Sequence, residues 1–175
     1  MIIWVIGLAG SGKTTFGKEI YNYIKQESNS SVFLDGDNFR NIIGNDLGHD
    51  LKSREINSRR MKNFCSFLDN QNINVVCCIL SIFPEHRLWC KKHFKSYYEI
   101  YIRVPFEELK IRDQKKLYSQ GLKGEIKNVV GIDLEFPEPT SPDFVIDNTL
   151  SISNLKEQSF SIFETIKSEN NGIFF

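Results

Sequence analysis

Residues 7–15 read Gly7-Leu8-Ala9-Gly10-Ser11-Gly12-Lys13-Thr14-Thr15, and the first eight satisfy G-x-x-x-x-G-K-[ST] at every fixed position. Glycines at those places let the backbone amides of a loop turn inward around phosphate oxygens. Lys13 is expected to reach the β- and γ-phosphates of a nucleoside triphosphate, and the Thr14 hydroxyl to ligate Mg²⁺. The flanks agree with the motif. The apolar run Ile2–Ile6 before it reads as a buried strand; Lys13 to about Lys25 after it reads as a helix with Phe16, Ile20, Tyr23 and Ile24 on one face. The N-terminus of that helix turns its positive end toward the same anion. ATP and Mg²⁺ are therefore the ligands expected at this end of the chain.

The alternation continues beyond this unit. Val32–Leu34 reads as a short strand, Asn74–Leu80 as a strand apolar throughout and so covered on both faces, and Tyr98–Val104 and Phe144–Ile146 complete five. Helices are expected over Arg54 to about Asp69, with Met61, Phe64, Phe67 and Leu68 available to the core, and over Pro84 to about Phe94 and Phe106 to about Arg112. A capping box at Asn154-x-x-Glu157 is expected to open the final helix, which runs to about Ser168. The polar stretch Arg40–Ser53 reads as a connection. Residues 114–142, with glycines, prolines and many charges, read as a long loop or lid. Five strands alternating with helices imply an α/β fold: one five-stranded parallel sheet covered by helices on both faces, in a single domain over 1–175.

Composition narrows the partners. The chain has 22 basic and 22 acidic residues and no formal net charge, which argues against a general nucleic-acid or anionic-membrane binder. No apolar stretch reaches the ~20 residues of a membrane span. No basic segment precedes Ile2–Ile6, so no leader peptide is expected and a cytoplasmic location is. Cys65, Cys77, Cys78 and Cys90 form no CxxC pair and read as small buried hydrophobes in a reducing compartment. His49, His86 and His93 lack the spacing of a metal cluster.

A phosphate-binding loop serves transferases and nucleotide-driven switches alike. A GTPase would carry an Asn-Lys-x-Asp guanine signature, and none is found; nor does a long apolar strand end in a clear Walker-B aspartate. A long charged lid suits a kinase, because a lid excludes water during transfer. The next cluster, Leu34-Asp35-Gly36-Asp37-Asn38-Phe39-Arg40, lies where a doubly wound sheet opens its ligand crevice. In extended geometry Asp35 and Asp37 share a face, one to accept a hydroxyl proton and the other to hold Mg²⁺-bound water, with Arg40 on an acceptor anion. The competing reading of the cluster alone is an Asp-Gly turn with solvated charges. Asp46-Leu47-Gly48-His49 follows, then Arg54, Asn57, Arg59 and Arg60; Arg54 and Asn57 are i,i+3 neighbours, which by itself describes a solvated helix face. The lid shows Lys115-Lys116-Leu117-Tyr118, Gly124-Glu125-Ile126-Lys127 and Gly131-Ile132-Asp133.

In order and spacing these linked motifs resemble the adenylyl-sulfate (APS) kinases, from Ile2 to about Asn148. The resemblance implies a P-loop kinase fold, transfer of the ATP γ-phosphoryl to a nucleotide 3′-hydroxyl, and a homodimer. It implies Asp37, assisted by Asp35, as the carboxylate activating the acceptor, with Asp35 and Thr14 toward the metal. Arg40, Arg54 and Asn57 are implied as acceptor-anion ligands, Lys127 as a lid residue at the phosphates, and Ile132 as a further substrate-binding residue. Ser81 stands where the family has a serine described as a phosphoserine intermediate. Direct in-line transfer gives it a lesser part, and a strand-end serine capping a turn is the competing reading.

The departures from the family fall on the acceptor base. The pattern DLGF has His49 in place of its stacking Phe, and G-F-T-G-I-D is here Asn128-Val129-Val130-Gly131-Ile132-Asp133, with Val129 at the second Phe position. F-I-S-P-Y-R is here Ile79-Leu80-Ser81-Ile82-Phe83-Pro84. Base–aromatic stacking is worth roughly 1–3 kcal/mol per base, so these changes weaken purine binding while the anion-binding positions remain. The chain thus resembles a branch of the family that phosphorylates a cytidine nucleotide bearing a terminal phosphoramidate, for bacterial capsule synthesis. An ordinary APS kinase with drifted positions is the alternative, and a nucleotide-binding regulator with no acceptor is the alternative of another class.

Overall fold

Ile2–Ile6 forms strand β1 at the centre of a parallel sheet, as an apolar run covered on both faces must. It pairs on one side with Val75–Ile79 of β3 (Asn74–Ile79) and on the other with Tyr97–Tyr101 of β4 (Tyr97–Arg103). Strands β2 (Ser31–Asp35) and β5 (Phe144–Asp147) lie at the edges, in the order β2-β3-β1-β4-β5. The computed structural model describes residues 1–113, 115–149 and 152–171.

Side chains alternate along β1. Ile3 and Val5 face the layer made by helices α1 (Lys13–Glu27) and α7 (Ile152–Glu169), meeting Phe16, Ile20 and Ile24 of the first and Phe163 and Ile166 of the second. Ile2, Trp4 and Ile6 face the opposite layer, where Phe39 of α2 (Gly36–Ile42), Met61, Cys65 and Leu68 of α3 (Leu51–Asn70) and Cys90 of α4 (Pro84–His93) cover the sheet. A third, smaller cluster holds Val104, Leu109, Tyr118 and Val129, from the end of β4, helix α5 (Phe106–Arg112), helix α6 (Leu117–Leu122) and the loop beyond. The four cysteines are free and buried. Among the described residues no helix is long and apolar enough to cross a membrane.

Several sequence expectations need correction. Asp35 does not follow β2 but ends it, and Asp37 is not extended: it stands in the first turn of α2, where the Asp35 side chain accepts its backbone N–H at 3.1 Å. The extended reading failed because Asp35 caps a helix, and an N-cap uses the same residue types as a turn or strand end. Helix α3 begins at Leu51, three residues early, because Asp50 caps it, accepting from Ser53 N at 3.0 Å and Ser53 Oγ at 2.6 Å. Phe64 and Phe67 stay largely outside the core, 38% and 59% exposed, while Cys65 takes the inward place. The lid is not structureless: α6 lies within it, its amides at Tyr118 and Ser119 held by the Asp113 carboxylate. Asn154 opens no helix; it lies inside α7, where its Oδ1 accepts from Gln158 one turn on. Gln114 at the start of the lid lies outside the described residues.

Helix α1 sits close against the sheet at Gly17. A Cβ built there falls 2.3 Å from Cys78 Sγ, 3.3 Å from the Phe33 ring and 3.4 Å from Val76. Gly17→Ala is therefore expected to destabilise the fold by about 1–3 kcal/mol through overpacking, despite the better helix propensity of alanine. Urea unfolding measures it; an unchanged or higher midpoint would mean that the helix has room to lift.

Candidate active site

All five strands of a parallel sheet end on one side, and the loops leaving β1, β2 and β3 there enclose a cavity of about 330 Å³. Its floor is the loop after β1. Ala9, Gly10 and Gly12 through Thr15 line it, while Gly7, Leu8 and Ser11 complete the loop from behind. Gly12 carries φ 97° and is the N-cap of α1 without any capping side chain, so the first amides of that helix stay open to an anion. The left-handed turn excludes a side chain at Gly12, and so does space: a Cβ there falls 2.6 Å from Nδ2 of Asn148. Asn148, buried just beyond β5, donates from Nδ2 to Ser11 O at 2.8 Å and braces the loop from the β5 edge of the sheet.

Lys13 donates from Nζ to Leu8 O at 2.7 Å. Burial lowers its pKa to about 8, against the pull of Cys78, Asp35 and Asp37. Thr14 donates to Asp35 Oδ2 at 2.7 Å, joining the loop after β1 to the end of β2. A hydroxyl and a carboxylate in contact beside a phosphate cradle suit a hard divalent cation. Among the described residues no group of three or more His, Cys, Asp or Glu could hold a metal, and Thr14 and Asp35 are the protein groups a cation here would meet.

The opposite wall is cationic. Arg40 on α2 is buried and donates to Leu47 O and Gly48 O at 3.3 and 3.0 Å. Arg54 in the first turn of α3 donates from Nε to His49 O at 2.7 Å and from Nη2 to Asn128 O at 2.8 Å. Burial lowers the pKa of both, and Arg40 further lowers that of Arg54. Both guanidiniums are fixed by carbonyl oxygens, and neither has a carboxylate partner among the described residues. Asn57, one turn along α3 from Arg54, lines the same wall; its Oδ1 is buried with no hydrogen-bond partner there. This wall can take a multiply charged anion. The loop between α2 and α3 is locked by Arg60, bidentate to Asp46 at 2.6 and 2.9 Å. His49 lines the cavity beside the arginines, its pKa lowered by burial and by both of them.

Between floor and wall stands Asp37. Lys115 donates to its Oδ2 at 2.6 Å and holds its carboxyl below the usual range. Ser81, at the end of the β3 loop with φ 56°, is buried; its Oγ accepts from the Trp4 indole at 3.0 Å, and its carbonyl accepts from Arg87 at 2.6 Å.

Donor loop, Asp35, Asp37, Arg40, His49, Arg54, Asn57 and Ser81 therefore meet in one space. Three expected residues do not. Val129 is buried in the third cluster with Tyr118, Ile132 packs beside it, and Lys127 is exposed away from the cavity. The reason is a tight turn: the Asp133 carboxylate accepts from the amides of Asn128 and Val129 at 2.6 and 2.5 Å, folding the valine inward. Sequence reading missed Lys115 and Tyr118 as site residues, although both lie in the Lys115–Tyr118 run that it noted. Tyr118 donates to Ala9 O at 2.8 Å and ties the lid to the phosphate loop.

The state of Lys13 gives a pH prediction. Its ammonium is the form that binds phosphate, and the charged fraction falls as pH rises through about 8. Affinity for a nucleoside triphosphate is expected to hold steady below pH 7 and to fall above pH 8, approaching tenfold per unit. Lys13→Met should bind weakly and lose that dependence in titration calorimetry; an identical slope in both would assign the titration elsewhere.

The adenylylsulphate kinase family matches residues 1–147. A cytidine diphosphoramidate kinase of Campylobacter jejuni is 42% identical over 90% of this chain and 91% of its own. An adenylyl-sulfate kinase of Thermodesulfovibrio yellowstonii is 35% identical over 83% and 74%. The structure of the Mycobacterium tuberculosis APS kinase in complex with AMPPNP and APS superposes with a TM-score of 0.84 at 28% identity, covering 95% of this chain and 96% of that one. With its phosphate loop, its aspartates and its carbonyl-held arginines in one cavity, the chain belongs to the adenylylsulphate kinase family of P-loop kinases.

Proposed function

We propose that this kinase transfers the γ-phosphoryl group of Mg·ATP to the 3′-hydroxyl of cytidine diphosphoramidate. The observation that carries the reading is the pair of guanidiniums that make no ion-pair contact among the described residues, held across the cavity from the phosphate loop, with Asp37 between. A nucleotide switch needs one anion site; this cavity offers two. Cytidine rather than adenine is favoured by the 42% identical Campylobacter relative and by His49, whose smaller ring lines the cavity where the family pattern has Phe. Adenylyl sulfate is the alternative acceptor, supported by the 35% identical relative and the retained anion wall. A cytoplasmic homodimer serving capsule phosphoramidate synthesis belongs to the same proposal.

The roles follow from the contacts. Loop amides and Lys13 hold the β- and γ-phosphates, and Tyr118 keeps the loop in place. Thr14 and Asp35 would hold Mg²⁺, which would offset the negative charge of the phosphates. Arg40, Arg54 and Asn57 hold the terminal anion of the acceptor. Asp37, ionised beside Lys115, orients the 3′-hydroxyl and takes its proton as the oxygen–phosphorus bond forms and the bond to the β,γ-bridging oxygen breaks. Lys115, released from Asp37, is left beside the transferring group. The Ser81 hydroxyl, engaged by Trp4, supports direct transfer without a phosphoserine.

ADP release measured with cytidine diphosphoramidate and adenylyl sulfate in parallel tests the acceptor. Turnover of the cytidine compound alone is expected; turnover of adenylyl sulfate alone would overturn that choice. Asp37→Ala is expected to lower kcat by about 10²–10⁴ while triphosphate affinity changes only a few-fold. Equal loss of both would remove Asp37 from the chemistry.

A further inference from the structure

A buried guanidinium behind the cavity wall has no task in that transfer. Arg87 on α4 and Glu99 on β4 are each less than a tenth exposed. Glu99 is the register partner of Trp4, so both face the α3–α4 layer. The two hydrogens of Arg87 Nη1 go to carbonyls far apart in the chain, Ser81 O at 2.6 Å and Pro137 O at 3.2 Å. Its Nε lies 4.0 Å from Glu99 Oε1, and the Tyr97 hydroxyl donates to Glu99 Oε2 at 2.9 Å. Helix α4 is itself fastened to α3, where Ser58 Oγ lies 2.8 Å from Nδ1 of His86.

Each of the two carbonyls belongs to a part of the site. Ser81 stands in the turn of residues 80–83 that leaves β3 and lines the cavity; Arg87 itself does not line it. The Ser81 φ of 56° is a left-handed conformation that a residue with a Cβ keeps only when its surroundings hold it. Two donors from behind the wall hold it: the Trp4 indole at Oγ and Arg87 at the carbonyl. Pro137 stands where the lid runs out toward β5. Phe136 before it packs on the Tyr101 ring, with centroids 6.0 Å apart. Asp143 after it is fixed on Glu99, its carboxylate accepting from Glu99 N at 2.7 Å and its amide donating to Glu99 O at 2.9 Å. One nitrogen thus sets the distance between the turn in the wall and the end of the lid. The phosphate loop is braced by Asn148 and Tyr118 instead.

We propose that Arg87 is a positioning residue for the acceptor: it fixes the Ser81 turn and the exit of the lid in the place from which they meet the acceptor nucleotide, and the donor site does not depend on it. The proposal rests on the nucleotide-acceptor reading above. Arg87 acts through the Ser81 and Pro137 carbonyls. Glu99 supplies the counter-charge that permits a guanidinium to be buried there.

Arg87→Lys separates the bridge from the charge. An ammonium ends one atom short of Nη1, keeps its pairing with Glu99 and gives up both carbonyls. Arg87→Met/Glu99→Gln removes both charges and strands neither, which covers the case in which the lysine variant fails to fold. Ile166→Ala, in the cluster on the opposite face of the sheet, supplies a loss of stability without touching the wall. Steady-state kinetics are measured with cytidine diphosphoramidate and with adenylyl sulfate, below the thermal unfolding of each variant. Both Arg87 variants are expected to lose about tenfold in kcat/KM for whichever acceptor the native enzyme turns over, most of it in KM, and to bind ATP within about twofold of the native affinity in titration calorimetry. Ile166→Ala is expected to keep both native values. The indole N–H resonance of Trp4, identified as the one that remains in Trp89→Phe, reports the Ser81 turn with no ligand present; it should move in Arg87→Lys and stay in Ile166→Ala. An acceptor KM unchanged in the Arg87 variants, or raised equally in Ile166→Ala, overturns the role, as does an unmoved Trp4 resonance. An equal loss of ATP affinity overturns its restriction to the acceptor. Turnover of neither compound overturns the nucleotide-acceptor reading and the acceptor role with it, while the Trp4 resonance still decides whether Arg87 sets the turn.

Discussion

Two guanidiniums in the wall of this cavity are held by carbonyl oxygens. A carboxylate would fix them as firmly but would also cancel their charge. Carbonyl dipoles orient Arg40 and Arg54 and leave the positive charge in place for an incoming anion. The arrangement is costly, because partly buried cations near one another are poorly solvated; the lowered pKa of each reports that cost. Much of the surrounding structure holds it. Asp50 starts α3 early enough to carry Arg54 and Asn57 into the cavity, Arg60 and Asp46 lock the loop whose carbonyls serve as acceptors, and the lid contributes the carbonyl of Asn128.

The phosphate end of the site was legible in the sequence because one contiguous stretch carries it: its conformation is set by its own glycines and by the strand and helix on either side. The sheet was legible because burial on both faces leaves apolar runs. The acceptor end was legible only in part. Asp35, Asp37 and Arg40 stood out as one cluster, whereas Arg54 and Asn57 came only through the family resemblance, their spacing alone describing a solvated helix face; the helix that carries Asp37 and Arg40 was hidden, since a capping aspartate and a turn aspartate look alike. Val129 was placed on the base by analogy of position, while the hydrogen bonds of Asp133 turn it into the lid. The contact of Ser58 with His86 joins residues 28 apart that only the packing of α3 on α4 brings together, and no local pattern announces it.

Lys115 shows how the two ends are joined. It comes from the lid, yet it rests on the carboxylate proposed to activate the acceptor. Lys13, Thr14, Asp35, Asp37 and Lys115 thus form a run of polar groups from the donor loop to the lid, cation, hydroxyl, anion, anion, cation. Entry of two polyanions has to rearrange this run, since the cations are better matched by phosphate than by the contacts they make without it.

The third apolar cluster has a consequence for the energetics of the whole. Val104, Leu109, Tyr118 and Val129 pack together with Leu8 and Ala9 of the phosphate loop, apart from the two large clusters on the sheet. A small cluster with its own turn and helix opens at lower free energy than the sheet does, as a partial unfolding unit. Its opening withdraws the Tyr118 hydroxyl from Ala9 and leaves the phosphate loop less supported. Ligand affinity is thereby linked to the folding of about thirty residues outside the phosphate loop. Amide protons of the lid segment then report nucleotide binding at a distance: their exchange slows as the ligand closes a unit that thermal motion would otherwise open.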